Sequence, residues 1–175
     1  FVSKNEDFTT LLNKLTDTTL AQGIAKMQTT AKEMIDPIIQ KTGENIVLGE
    51  AFEVSGNILG QYVHNNKSGV IVSLSGGNAE LAKDIAMHIT AMKPEYITEN
   101  EIPAEAKQTI TEIFEKENAN IDKPAPIKQK ILEGKITTYF KEKTLLDQNF
   151  IKNADESIRQ LLEKNKAEIK EVKRF

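Results

Sequence analysis

The sequence predicts an α+β protein: two small subdomains of antiparallel sheets and packed helices, plus an inserted antiparallel helical hairpin forming a coiled-coil arm. Three observations carry this. Apolar residues recur at helical spacing from Phe8 to Ile39 and again from Leu81 to Met92. Two segments of strand character, Ile58–His64 and Gly69–Leu74, flank a short Asn-rich link, the pattern of a hairpin. From Glu99 to Lys143 the chain is densely charged, Gly134 is its one glycine, and its apolar stripe is narrow for a core helix. Strands grouped in hairpins without a βαβ rhythm argue against a parallel sheet. No repeat is evident at solenoid periods.

In chain order, Phe8, Leu11, Leu12 and Leu15 mark one face of a short helix, and Leu20, Ile24 and Met27 a second pattern. Thr30-Ala31-Lys32-Glu33 has the spacing of a capping box, whose hydroxyl accepts an early N–H while the glutamate reaches back. It would open a helix through Met34, Ile35, Ile38 and Ile39, kinked or broken at Pro37 and stopped at Gly43. Ile46–Val54 reads as a strand closed by Gly56. In the hairpin, Leu59, Tyr62 and Val63 supply one arm and Val70, Ile71, Val72 and Leu74 the other. Ser75-Gly76-Gly77-Asn78 then leads into a helix striped by Leu81, Ile85, Ile89 and Met92, which Lys93-Pro94 ends. In the charged stretch, Ile102, Ala106, Ile110 and Ile113 line one helix and Asp122-Lys123-Pro124 turns the chain. Ile127, Ile131, Leu132, Ile136, Tyr139 and Phe140 line the next. The first of these helices is mostly acidic and the second mostly lysine-bearing, which favours pairing with each other. Asp155–Asn165 reads as helix and Ala167–Phe175 as strand. The expected division is an N-terminal core subdomain over 1–56, a C-terminal one over 57–98 and 144–175, and the arm over 99–143.

Composition narrows the function. The chain has 175 residues, is 39% hydrophobic and 28% charged, and carries a net charge of −3. That balance supports a globular core and gives no electrostatic reason to bind nucleic acid. Arg159 and Arg174 are the only arginines, so forked contacts to phosphates are scarce. With no cysteine and two histidines, disulfides, thiolate chemistry and a His-rich metal site are excluded. No apolar run approaches the ~20 residues of a membrane span and no signal-peptide pattern opens the sequence. A cytoplasmic or organelle-matrix location is expected, and a first residue other than Met suggests a fragment.

No catalytic signature emerges. Ser73-Leu74-Ser75-Gly76-Gly77 lacks the lysine of a phosphate loop and reads as a strand-to-helix turn. His88 shares a face with Leu81, Ile85 and Met92, the position of a buried structural histidine. His64 sits where a strand meets its turn, either as an ordinary flanking residue or as a side chain set against a partner. Carboxylates have no spacing that pairs them for acid–base work, so an enzyme built around His64 lacks a second group. The residues alone indicate a binder.

Three motifs go further: Gly43-Glu44-Asn45-Ile46, Asp84-Ile85-Ala86-Met87-His88-Ile89 running into Lys93-Pro94-Glu95-Tyr96-Ile97, and Leu145-Leu146-Asp147-Gln148-Asn149-Phe150-Ile151. In this order they resemble the bacterial-type elongation factor Ts family, and the resemblance runs from Phe1 to Phe175. It implies a guanine-nucleotide exchange factor for elongation factor Tu, which makes or breaks no bond and needs no cofactor. Magnesium and GDP or GTP would belong to the partner. Phe1-Val2 resembles the second half of a Thr-Asp-Phe-Val motif, which in the family follows a small N-terminal three-helix module expected to be missing here. The resemblance implies that Phe1 wedges between helices of the GTPase domain and that His64 assists nearby. Thr42-Gly43 would form a further contact, with Thr where the family has Ile. Ile151 and Lys152 would touch the partner's third domain, Lys152 standing where the best-known member has Met. The alternative is a structural or adaptor domain that forms a homodimer through the arm, without exchange activity.

Overall fold

The computed structural model describes residues 5–175, which fall into two compact units, one up to Glu53 and one from Val54. The chain is α+β, as the sequence predicts.

The first unit is a helical pair, α1 (Glu6–Gln22) and α2 (Ile24–Thr42). Asn5 caps α1 by accepting the Asp7 N–H at 2.9 Å. The two helices part at Gly23, whose φ of 82° belongs to a region other residues rarely adopt. Leu11 and Leu15 bury against Met27, Ala31 and Ile35. The three helical patterns of the sequence are therefore two helices. Thr30 lies inside α2 and donates its hydroxyl to the Lys26 carbonyl instead of capping, because the Met27–Ala31–Ile35 face already continues through it. Helix α2 also runs on through Pro37 without a broken turn. Buried Ile35 and the partly buried Met34, Ile38 and Ile39 hold both sides of the proline. Gly43 ends α2 in the left-handed conformation, its N–H bonded to the Ile39 carbonyl at 2.8 Å. Ile46–Val54 is not a strand. Among the described residues its unit offers no second strand to pair with, and Ile46, Leu48 and Ala51 pack on the helices instead.

The second unit is built on an antiparallel sheet in the order β1 (Ile58–His64), β2 (Ser68–Ser75), β5 (Glu168–Arg174). The β1–β2 hairpin closes through Asn65 and Asn66, both at positive φ, with His64 opposite Ser68. On one face Val70, Val72 and Leu74 bury against Leu81, Ala82, Ile85, Ala86 and Ile89 of α3 (Ala79–Met92). The helix approaches so closely that a Cβ at Gly60 would lie 2.2 Å from the Ala82–Lys83 backbone. Asn78 caps α3 by accepting the Leu81 N–H at 2.8 Å. Met92, expected in the stripe, is exposed at the helix end.

Helices α4 (Ala104–Ala119) and α5 (Ala125–Lys143) form the hairpin. Phe114 meets Tyr139 edge-on at 5.9 Å, and Lys135 of α5 pairs with Glu117 of α4 at 2.9 Å, joining the two charge signs read from the sequence. Ile113 faces solvent and Phe114 takes the seam in its place. At the root, Leu145 donates to the Tyr96 carbonyl and Tyr96 to that of Lys143. The chain thus enters and leaves the hairpin side by side. Beyond it come β3 (Asn149–Phe150), β4 (Asn153–Ser157) and α6 (Ile158–Lys164). Asp155 and Glu156 extend as strand, not helix, because the Ser157–Gln160 capping box starts α6 only at Ile158. Among the described residues no helix is long and apolar enough to cross a membrane.

Candidate functional site

The described residues singled out in the sequence lie at the ends of regular elements or in the turns between them. Phe1 lies outside the described residues. Thr42 is the last residue of α2, half-buried, and donates its hydroxyl to the Ile38 carbonyl at 2.7 Å. Gly43 follows, exposed, with nothing within 4 Å of where a Cβ would stand, so its φ of 70° alone calls for glycine.

His64 is exposed at the last position of β1. Two-residue periodicity puts Tyr62 on the same face, and the Tyr62 hydroxyl lies 3.2 Å from His64 Nδ1. Asn65 donates from Nδ2 to Nε2 at 3.1 Å. Since that amide nitrogen can only donate, the neutral ring carries its proton on Nδ1, where it donates to the Tyr62 oxygen. The imidazole is thereby held between a strand neighbour and the turn.

Ile151 and Lys152 are the two residues between β3 and β4, and both are exposed. Two contacts from α3 fix this turn. The Ile151 N–H donates to His88 Nδ1 at 3.2 Å, and the Lys152 ammonium pairs with Asp84 at 2.6 Å. Asp84 and His88 are four residues apart, so they lie one above the other on the same helix face. His88 is fully buried, as its place in the apolar stripe predicts. With Nδ1 accepting, its proton sits on Nε2 and is donated to Gln148 Oε1 at 2.9 Å. Burial pushes the His88 pKa below the ordinary imidazole value, against a smaller opposing effect of the Gln148 bond.

Thr42 and Gly43 share one helix end, and Ile151 and Lys152 share one turn. His64 belongs to a different hairpin with its own partners. Asp84, Gln148, Tyr62 and Asn65 were not read as supporting residues. The i,i+4 spacing of Asp84 and His88 and the i,i+2 spacing of Tyr62 and His64 were the available signals.

A concavity of about 740 Å³ lies at the root of the hairpin, where Lys107, Phe140, Asp147 and Arg159 line it. His64, Ile151 and Lys152, the described site residues of the same unit, do not border it. Among the described residues no three His, Asp or Glu side chains gather to hold a metal ion.

The family described as Elongation factor TS matches residues 1–175. The chain is 35% identical over its full length to the elongation factor Ts of Hahella chejuensis and covers 63% of that protein. It is 36% identical over its full length to that of Thioalkalivibrio sulfidiphilus, covering 64%. For Pseudomonas syringae pv. tomato the figures are 38% over 90% of the chain and 53% of the relative. The chain thus spans roughly half to two thirds of these relatives' length. With the match running over every residue, the chain belongs to the elongation factor Ts family.

Proposed function

We propose that the chain is the core of a guanine-nucleotide exchange factor for elongation factor Tu in translation elongation. Thr42, Gly43, His64, Ile151 and Lys152 are its partner contacts, and Phe1 is the wedge against the GTPase domain. It performs no bond chemistry. It binds the nucleotide-free partner more tightly than the nucleotide-bound one, and linkage makes this reciprocal with loss of GDP affinity. Magnesium and nucleotide are held by the partner, and neither is bound by this chain.

The observation that carries the reading is how the two polar departures from the family pattern are handled. The Thr42 hydroxyl is satisfied by Ile38, and the Lys152 ammonium by Asp84. What the turn offers a partner is largely apolar: the exposed Ile151 and the methylene stem of the half-exposed Lys152, and beyond its hydroxyl Thr42 has only a methyl group to offer. Both positions therefore suit the apolar contacts that the resemblance implies. The arm is an insertion over 99–143, which the paired entry and exit at Tyr96 and Leu145 support.

Affinity for elongation factor Tu, measured by calorimetry with the partner nucleotide-free and GDP-loaded, tests the proposal. A clear preference for the nucleotide-free form supports it, and equal affinity overturns it. Exposed Ile113 and Ile127 on the arm favour self-association as a second activity. Sedimentation of the chain with and without 99–143 decides that reading.

A further inference from the structure

We propose that His88 is a positioning residue that holds the Ile151-Lys152 turn in its partner-binding form, an assignment that rests on the exchange-factor reading above. The argument begins with the turn itself. Ile151 and Lys152 join a strand of two residues to one of five, and the register shifts between Asn149 and Phe150. So short a ladder does little to fix its own turn. Its shape comes instead from α3, through the Ile151 N–H to His88 Nδ1 and the Lys152 ammonium to Asp84.

His88 is the central member of a continuous polar relay. Gln148 Nε2 donates to the Glu142 carbonyl in the last turn of α5, at 2.6 Å. Its Oε1 accepts from His88 Nε2, and His88 Nδ1 accepts from Ile151. Every member of the relay has one proton direction, so the imidazole must be neutral and protonated on Nε2. The Phe150 ring, 6.1 Å away between centroids, packs beside it. The same relay ties the root of the arm to the turn through one buried and two partly buried hydrogen bonds, so displacement of either end is transmitted to the other.

Two substitutions separate the ring's two jobs. In His88→Asn the amide oxygen takes the place of Nδ1 and still accepts from Ile151, while the Gln148 link is lost. In His88→Gln the amide nitrogen takes the place of Nε2 and keeps Gln148, while Ile151 loses its acceptor. Amide hydrogen exchange is read at Ile151, with Val72 in the buried central strand as the reference for global folding. The expected result is at least a tenfold loss of Ile151 protection in His88→Gln and a change within threefold in His88→Asn. Affinity for elongation factor Tu should follow the same order. Equal protection and equal affinity in the two variants would overturn the proposal. If either variant loses Val72 protection, nitrogen NMR of the native ring decides: a proton on Nδ1 overturns the assignment and one on Nε2 supports it. Absence of any binding by the native chain would overturn the exchange-factor reading, while Ile151 protection would still decide the hydrogen bond.

Discussion

Replacing Asp84 by Asn releases the Lys152 ammonium and tests whether the turn works as an apolar contact. In the native chain the pair is 2.6 Å apart, with side chains 49% exposed for Lys152 and 22% for Asp84. A pair this open to solvent contributes roughly 0.2–1 kcal/mol to folding, so Asp84→Asn should remain folded. Its thermal midpoint should fall by no more than about 4 °C, at roughly 2–4 °C per kcal/mol for a chain of this size. Binding is affected more. An unpaired ammonium brought against an apolar surface loses its water without compensation, which costs about 1–3 kcal/mol. That corresponds to roughly a 5- to 150-fold weaker complex with elongation factor Tu. Lys152→Met removes the charge, so the double variant Asp84→Asn, Lys152→Met should recover native affinity. Titration calorimetry on the native chain, both single variants and the double variant completes the cycle. Native affinity in Asp84→Asn, or no recovery in the double variant, would refute the reasoning.

His64→Ala should change stability by no more than about 0.5 kcal/mol, as for an exposed residue, while slowing GDP release from elongation factor Tu. Urea unfolding and a fluorescent-GDP assay check the two halves. Ile110→Asp and Ile131→Asp should each splay the α4–α5 hairpin, since an unpaired charge in an apolar seam is costly. Amide protection should then fall along the arm and persist in β2 and α3, whereas loss of protection throughout would remove the arm's independence. For pH, burial lowers the His88 pKa in the fold, while the unfolded chain titrates near 6.5. Between those values the unfolded state holds more protons, so stability is complete above about 6.5 and declines as pH falls below it. The urea midpoint should drop between pH 7.5 and 5.5, and His88→Asn should flatten that dependence.

The sequence revealed elements whose signals are local. The Asn65-Asn66 turn and the Gly43 stop each depend on a backbone conformation that few residue types favour, and both are found. Errors arose where packing overrode local preference. Thr30 has a capping-box neighbour three residues on, yet the buried Met27–Ala31–Ile35 face carries the helix through it. Ile46–Val54 has strand composition but no partner strand among the described residues, and a strand is a property of pairs. The candidate site residues come from the motifs of the family resemblance and not from periodicity. Position at a strand end marks His64 as a turn-flanking residue and the apolar helix face marks His88 as a core one, and both descriptions fit the structure. The contacts of His88 with Gln148 and Ile151, 60 and 63 residues away in sequence, have no local signature.

The central claim is tested most directly by the rate at which fluorescent GDP leaves elongation factor Tu when this chain is added. The account predicts that release accelerates with chain concentration and saturates as the complex fills. His64→Ala should reduce the limiting rate, and Asp84→Asn should shift the curve to higher concentration. A release rate unchanged by saturating native chain, with the chain folded and the partner active, would contradict the account.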